Sequence, residues 1–308
     1  MTAADSSQIR TIQRAMDKSR KIAIVGMTVS GLLAIVKIVG GTIAGSAAVR
    51  ADGFESSADV FSSGLVLIGL TLAARPADKN HPYGHGRVEI LTGLLLGFCL
   101  FAAGCFIAWH GLNGATELHV PAAWAVWPLL VSISAKLGLG LAKYRHGKQI
   151  GSSSLLADAA NDGMDIISGS VALTALMLTL ENPERFPRAD QWGAFGVGLI
   201  VVVASIRVMQ QTSLHLMDTM PDDQSMRHIR EVAMTVDDVR GVEKCFARKT
   251  GLKYHVDLHL EVDPETSVRI AHEIAQAVRD KIRQEVDWVA DVLVHVEPDP
   301  EASATREL

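Results

Sequence analysis

The sequence predicts a polytopic membrane protein in two parts, a six-helix transmembrane bundle followed by a small cytoplasmic α+β domain of order α-β-β-α-β. Three observations carry this. Hydrophobic residues make up 48% of the 308 residues against 20% charged, and the mean hydropathy is positive. The long apolar runs all precede about Met220. From Pro221 those runs give way to helical and alternating patterns typical of a soluble domain.

A helix that crosses a bilayer needs about 20 mostly apolar residues. Six segments qualify: 22–44, 49–74, 88–111, 121–146, 153–180 and 191–214. Acidic residues weaken the second and fifth, so hydropathy alone would count four. Short loops join each of these two to clear spans on either side, and that requires them to cross. Lys and Arg set the orientation. Arg10, Arg14, Lys18, Arg20 and Lys21 precede the first span, Arg75, Lys79 and Arg87 follow the second, and Lys143, Arg145 and Lys148 cluster at the end of the fourth, towards the fifth. Both termini are therefore expected in the cytoplasm. The polar start from Met1 to Asp5 does not read as a cleavable signal peptide, and a bacterial inner membrane is the expected location. The expected organisation is a cytoplasmic segment 1–20, a transmembrane domain 21–216, a cytoplasmic α+β domain 217–298 and a disordered tail 299–308.

In the soluble part, Asp222 to Val236 has helical spacing with Met226, Ile229, Val232 and Met234 inward. Val239 to Thr250 and Lys253 to Val262 alternate as strands around a Thr250-Gly251 turn, Ser267 to Arg283 is an amphipathic helix, and Val292 to Val296 a last strand. Cys99, Cys105 and Cys245 suggest no disulfide framework. A net charge of −5 and the lack of a basic stripe exclude nucleic acid as a partner.

Two stretches put acidic groups where lipid is expected, in one pattern. Ala51-Asp52-Gly53-Phe54-Glu55-Ser56-Ser57-Ala58-Asp59 aligns with Ala157-Asp158-Ala159-Ala160-Asn161-Asp162-Gly163-Met164-Asp165. Asp52 then matches Asp158, Glu55 matches Asn161 and Asp59 matches Asp165. An ionised carboxylate in hydrocarbon costs several kcal/mol unless paired, hydrated or bound to an ion, so such helices point to a functional site. Offsets of three and four share a helical face. Glu55, Asp59, Asn161 and Asp165 offer oxygen donors with no sulfur or imidazole, a set that suits a divalent cation. The alternative is that they join helices by hydrogen bonds. Against it, three clustered carboxylates repel one another unless protons or a cation neutralise them, which links metal binding to proton release. Asp52 and Asp158 can extend an aqueous entry path or cap helix ends near the interface, and both readings stay open.

Two further groups carry ligand chemistry. Asp78, His81 and His85 fall together in the loop after the second span, where Pro82 and Gly84 shape a turn. In the soluble domain His255, Asp257 and His259 alternate along one strand face, with His272 on the helix and His295 and Glu297 on the last strand. A compact α-β-β-α-β arrangement brings these elements side by side.

These motifs resemble the cation diffusion facilitator family. The resemblance rests on the duplicated acidic motifs, the loop from Pro76 to Arg87, Leu216-Met217-Asp218, Ala271-His272-Glu273-Ile274 and Val294-His295-Val296-Glu297-Pro298. It covers about residues 20 to 298. It implies homodimeric transporters that export divalent metal from the cytoplasm in exchange for protons, with a cytoplasmic metallochaperone-like (ferredoxin-like) domain. By position it puts Glu55, Asp59, Asn161 and Asp165 on a transport site and Asp78, His81 and His85 on a loop site. Glu243, His259, His272, His295 and Glu297 fall on cytoplasmic sites at a dimer interface, and Arg87 and Asp218 on a charge interlock. Zinc-selective relatives have histidine where Asn161 stands, and aspartate or histidine at Glu55. An asparagine there is characteristic of manganese-type members, although Glu55 is unusual even among them. Glu243 replaces a frequent histidine.

The expected function is a secondary active transporter, not an enzyme, with manganese favoured over zinc. Alternatives within the family are zinc, iron, cobalt or nickel export. No catalytic cofactor is expected; the metal is cargo and a candidate regulator. A membrane-embedded aspartyl hydrolase needs a dyad signature that the chain lacks. A non-transporting metal sensor or scaffold leaves the duplicated charges in lipid unexplained.

Overall fold

The computed structural model describes residues 3–113, 120–150, 153–251 and 253–300. The last eight residues of the expected disordered tail lie outside the described residues. The chain forms two compact units, one built from the chain up to Leu65 with Leu96–Arg207, the other from Val66–Leu95 with the chain from Val208 onward. The helices are α1 (Ala3–Ala44), α2 (Ala47–Ala73), α3 (Arg87–Asn113), α4 (Val126–Ile150, preceded by a 3₁₀ turn Ala123–Ala125), α5 (Ser153–Glu181) and α6 (Ala189–Leu216). Each holds a stretch long and apolar enough to cross a membrane, so the two acid-bearing segments do belong to the spanning set. One difference concerns the start: the expected N-terminal segment is not separate, because α1 runs unbroken from Ala3 into the first apolar stretch.

In the first unit, apolar side chains such as Ile35, Phe61, Phe106 and Trp127 face outward, as a lipid solvent permits. Charged groups turn inward. Helices approach closely through small residues, since little hydrophobic force drives association inside a bilayer. A Cβ added at Gly198 of α6 would lie 2.5 Å from the Ala108 nitrogen of α3, and one at Gly193 2.3 Å from Ala175 Cβ of α5. Asp190, buried in the first turn of α6, satisfies the start of α2. Its carboxylate accepts from Ser46 Oγ (2.6 Å), Ala47 N (2.5 Å) and Ala48 N (3.3 Å), and its own N–H donates to Thr179 Oγ1 on α5. The free N–H groups of a helix start thereby gain an anionic acceptor from a neighbouring helix.

The second unit contains the α+β domain: α7 (Asp223–Ala233), β1 (Gly241–Lys249), β2 (Tyr254–Val262), α8 (Val268–Glu285) and β3 (Val289–Pro298). Asp222 caps α7 by accepting from Ser225 N, and Ser267 caps α8 by accepting from Ile270 N. The sheet order is β1-β2-β3, with β1 antiparallel and β3 parallel to the central strand. A parallel neighbour requires a crossover, and α8 supplies it. The core joins Ile229 of α7, Val278 and Ile282 of α8, and Val256, Leu258 and Leu260 of β2, all fully buried. Each contributes roughly 1.5–3 kcal/mol. Because strand side chains alternate, burying those three residues of β2 turns His255, Asp257 and His259 to the opposite face.

In the same unit, the loop after α2 meets the β1–β2 turn through glycine. A Cβ at Gly86 would sit 2.0 Å from the Thr250 carbonyl oxygen, and Gly251 has φ +89°. Asp218 just beyond α6 also adopts a left-handed φ of 57°, with Thr219 N donating back to Leu214 O. This is a Schellman-type helix end.

Candidate metal centre

The intramembrane centre lies between α2 and α5. The Asp59 and Asp165 carboxyls lie near enough to act on one another, Glu55 neighbours Ser168 on α5, and the charges of Asp52 and Asp165 act on Glu55; the three acids are not among the groups whose ligand atoms fall within 4.8 Å of one another. Glu55 Oε2 and Asp59 Oδ2 are buried and accept no hydrogen bond among the described residues. Buried oxygens without donors are what an oxygen-ligated cation would satisfy. Asn161, by contrast, is exposed one turn before Asp165, outside this cluster. Asp52 is buried and ion-paired, whereas Asp158 is 46% exposed.

The acids are not alone. Lys37 of α1 places Nζ 2.7 Å from Asp52 Oδ2 and donates to Ser56 Oγ at 2.6 Å. Lys136 of α4 lies 3.2 Å from Asp162 Oδ1 and also pairs with Asp165 Oδ2. Lys143, two turns further along α4, bridges Asp162 Oδ2 (2.6 Å) and Asp158 Oδ2 (2.9 Å). All three lysines are at most 3% exposed. An alternating row therefore runs Asp158–Lys143–Asp162–Lys136–Asp165.

Sequence reasoning passed over Lys37, Lys136 and Asp162, and counted Lys143 only as a loop charge, whereas it is buried and ion-paired inside α4. Two signals could have found them. Lys136 and Lys143 are seven residues apart and so share a helix face, and an intramembrane lysine calls for a named partner as much as an aspartate does. Asp162 has no counterpart in the first acidic motif, where Ser56 stands, and the internal alignment drew attention away from it. Asp190 was missed as well; its signal was an acid at the start of an apolar run.

In the loop, Asp78 accepts from His81 N (2.7 Å) and Asn80 N (2.9 Å), and the His81 N–H in particular holds its carboxyl below the usual range. His81 Nδ1 lies 3.2 Å from Asp78 Oδ1 and His85 Nε2 3.4 Å from Asp78 Oδ2. One ligand atom from each residue falls within 4.8 Å of the others. His85 Nδ1 sits 3.2 Å from the Pro76 carbonyl, which accepts its proton in one tautomer and leaves Nε2 free as a ligand.

In the α+β domain the predicted residues divide into two groups. His259 and His295 are register partners on parallel β2 and β3, and His259 Nδ1 lies 2.6 Å from Glu297 Oε1. These three hold ligand atoms within 4.8 Å of one another. A bulge in β1 sets Glu243 and Lys244 opposite His259, leaving Glu243 Oε2 4.0 Å from His259 Nδ1. Hydrogen bonds with Glu243 and His259 hold Glu297 below the usual carboxylate range. His272 is elsewhere. With His255, Asp257, Arg279 and Asp291 it lines a cavity of about 420 Å³. Arg87 Nη2 and Asp218 Oδ1 are 3.4 Å apart and exposed.

With this geometry in place, comparison with known proteins decides the family. Residues 23–217 match the family described as "Cation efflux transmembrane domain" and residues 221–299 the "Cation efflux protein, cytoplasmic domain". The chain belongs to the cation diffusion facilitator family. It is 33% identical over 294 residues to "Uncharacterized transporter YdbO" of Bacillus subtilis (strain 168), covering 92% of this chain and 97% of that protein. It is 31% identical to "Metal tolerance protein C1" of Arabidopsis thaliana, of whose length the match covers 64%, with 93% of this chain covered. It is 27% identical to "Manganese efflux system protein MneP" of Bacillus subtilis (strain 168), covering 91% and 96%. Among solved structures, "MamM-CTD 215-293" is 32% identical over 25% of this chain and 98% of its own, with a TM-score of 0.25.

As a cation diffusion facilitator, the chain is an integral membrane metal cation efflux transporter. Its C-terminal part is a small α+β domain with a three-stranded sheet.

Proposed function

We propose that this cation diffusion facilitator is a divalent metal/proton antiporter that exports metal from the cytoplasm through Glu55, Asp59 and Asp165. One observation carries the reading. Five enclosed carboxylates (Asp52, Glu55, Asp59, Asp162, Asp165) face three buried ammonium groups (Lys37, Lys136, Lys143). Asp158, 46% exposed, reaches Lys143 from outside the enclosure, so the enclosed charge alone is two negative units in excess, the complement of one divalent cation or two protons. Charge left uncompensated in a low-dielectric interior is costly, so either the cation or the protons must be present at each stage of transport. Exchange follows from that requirement.

Both termini are assigned to the cytoplasm from the Lys/Arg distribution. Metal then enters from the side of Asp158, displaces protons at the three acids, and leaves outward when external protons return. The donors are oxygen only, which favours manganese over zinc because imidazole and thiolate are the ligands that draw zinc. Asn161, exposed one turn before Asp165 and one turn after Asp158, meets the metal on its way in and contributes an amide oxygen to its selection. Metal held by His259, His295 and Glu297, with Glu243 alongside, tightens a homodimer and raises activity. Asp78, His81 and His85 form a second regulatory site, and the Arg87–Asp218 pair holds the spans at the membrane surface. Domain limits of 21–216 and 217–298 are assigned in line with the two family matches, 23–217 and 221–299.

Proteoliposomes test the central assignment. Manganese-dependent proton flux is expected from the wild type, and Asp165→Ala should reduce it to the rate of empty vesicles. Undiminished flux would remove Asp165 from the site. Asn161→His should move the manganese-to-zinc ratio toward zinc, and an unchanged ratio would assign selectivity to other positions.

A further inference from the structure

The row of alternating charges along α4 and α5 does something the acidic cluster alone does not explain. Lys136 touches two acids of different standing. Asp165 belongs to the proposed transport site; Asp162, buried and bridged by Lys143 as well, does not. We propose that Lys136 is a tethered counter-cation: it occupies Asp165 when the site is empty and gives it up to the incoming metal by withdrawing fully onto Asp162. This rests on the reading of Glu55, Asp59 and Asp165 as the transport site.

The geometry makes the exchange short. Lys136 Nζ already lies 3.2 Å from Asp162 Oδ1, so leaving Asp165 needs no new partner and no swing of the side chain. Charge balance permits it. Lys136 and Lys143 are matched by Asp162 and Asp158, and when Asp165 turns to the metal neither buried lysine is left unpaired. Lys37 with Asp52 is balanced separately on the other side of the cluster. The three acids of the transport site are then free of lysine and available to a cation. Two consequences follow for transport. A resident ammonium weakens metal binding, because the metal must displace it, and it speeds release, because it is poised to retake Asp165. A transporter gains from both, since a site that binds too tightly does not turn over.

The test uses the full chain in detergent and in proteoliposomes, with manganese ion as the probe. In Lys136→Gln the dissociation constant for manganese should fall about tenfold or more, since one unit charge is removed beside the bound ion at low effective dielectric. The KM of flux should fall with it while kcat also falls, a split that simple structural damage does not produce. Lys136→Arg retains the charge and should stay near wild type in affinity. Unchanged or weaker manganese binding in a folded Lys136→Gln protein would overturn the proposal. Should that variant not fold, the double variant Lys136→Gln with Asp162→Asn removes one charge of each sign and keeps the enclosed total. Tighter binding there supports the counter-cation, and unchanged binding overturns it. Asp59→Asn and Asp165→Asn separate this from the site assignment. If they bind as many manganese ions as the wild type, the transport-site reading fails; if they lose one bound ion while the Lys136 variants match wild type, only the counter-cation fails.

Discussion

Asp162→Asn is the perturbation that most cleanly separates the structure from its sequence pattern. Asp162 is 2% exposed and receives Lys136 Nζ at 3.2 Å and Lys143 Nζ at 2.6 Å. The amide keeps the shape and removes the charge that both ammonium groups share. Breaking a buried ion pair by neutralising one partner costs about 3–5 kcal/mol. Here Lys136 keeps Asp165 and Lys143 keeps Asp158 at 2.9 Å, so about 2–3 kcal/mol is expected. For a bundle of this size each kcal/mol moves the midpoint by roughly 2–4 °C, which gives a drop of about 4–12 °C. Asp158→Asn touches the same Lys143 from a side chain 46% exposed, and an exposed pair is worth less than about 1 kcal/mol. Thermal unfolding of the two variants in one detergent, followed by intrinsic fluorescence, makes the comparison. Equal midpoints for both, or no change in Asp162→Asn, would refute the argument that Asp162 anchors the lysine row.

Other consequences can be checked with less effort. Asp190→Ala removes the acceptor for Ser46 Oγ, Ala47 N and Ala48 N and should cost about 2–3 kcal/mol; a melting temperature within error of wild type contradicts this. Burial pushes the Cys245 thiol up to about 11, so a maleimide at pH 8 should label it only after unfolding; Cys99 and Cys105 are exposed, so the label is mapped by peptide, and rapid labelling at Cys245 in folded protein counts against the core. Arg279 holds the Asp291 carboxyl below the usual range through two hydrogen bonds. The stability this adds is present above the unfolded aspartate value near pH 4 and is lost as pH falls through the lower folded value. Both side chains are partly exposed, so Asp291→Asn in the fragment 217–300 should cost under about 1 kcal/mol at pH 7. The difference from wild type should vanish near pH 2, and a difference that grows on acidification reverses the sign of the argument.

Much of the architecture was legible because lipid and water impose different periods. Six apolar runs, the change at Pro221 and the alternation of Tyr254 to Val262 each reflect one burial pattern, and the helices and strands fall within a few residues of those limits. What a period does not carry is which faces meet. His255 and His259 look equivalent along β2, yet they stand about 13 Å apart at strand rise. Parallel register pairs only the second with His295, while the first joins His272 at the cavity. Asn161 and Asp162 are adjacent, so helix rotation alone decides that one is exposed and the other buried. Hydropathy alone gives Lys37 and Lys136 no role and leaves Lys143 a loop charge, because their partners come from other helices, a relation no local window contains. The loop triad was the easier case, since its ligand atoms come from eight consecutive residues shaped by one turn.

The most direct test of the account is anomalous scattering from crystals of the full chain soaked in manganese. The account predicts a peak between α2 and α5 with Glu55, Asp59 and Asp165 oxygens at about 2.0–2.6 Å, the range for oxygen-bound divalent cations. A map with peaks at the His81–His85 loop or beside His295 but none between those three acids would contradict it.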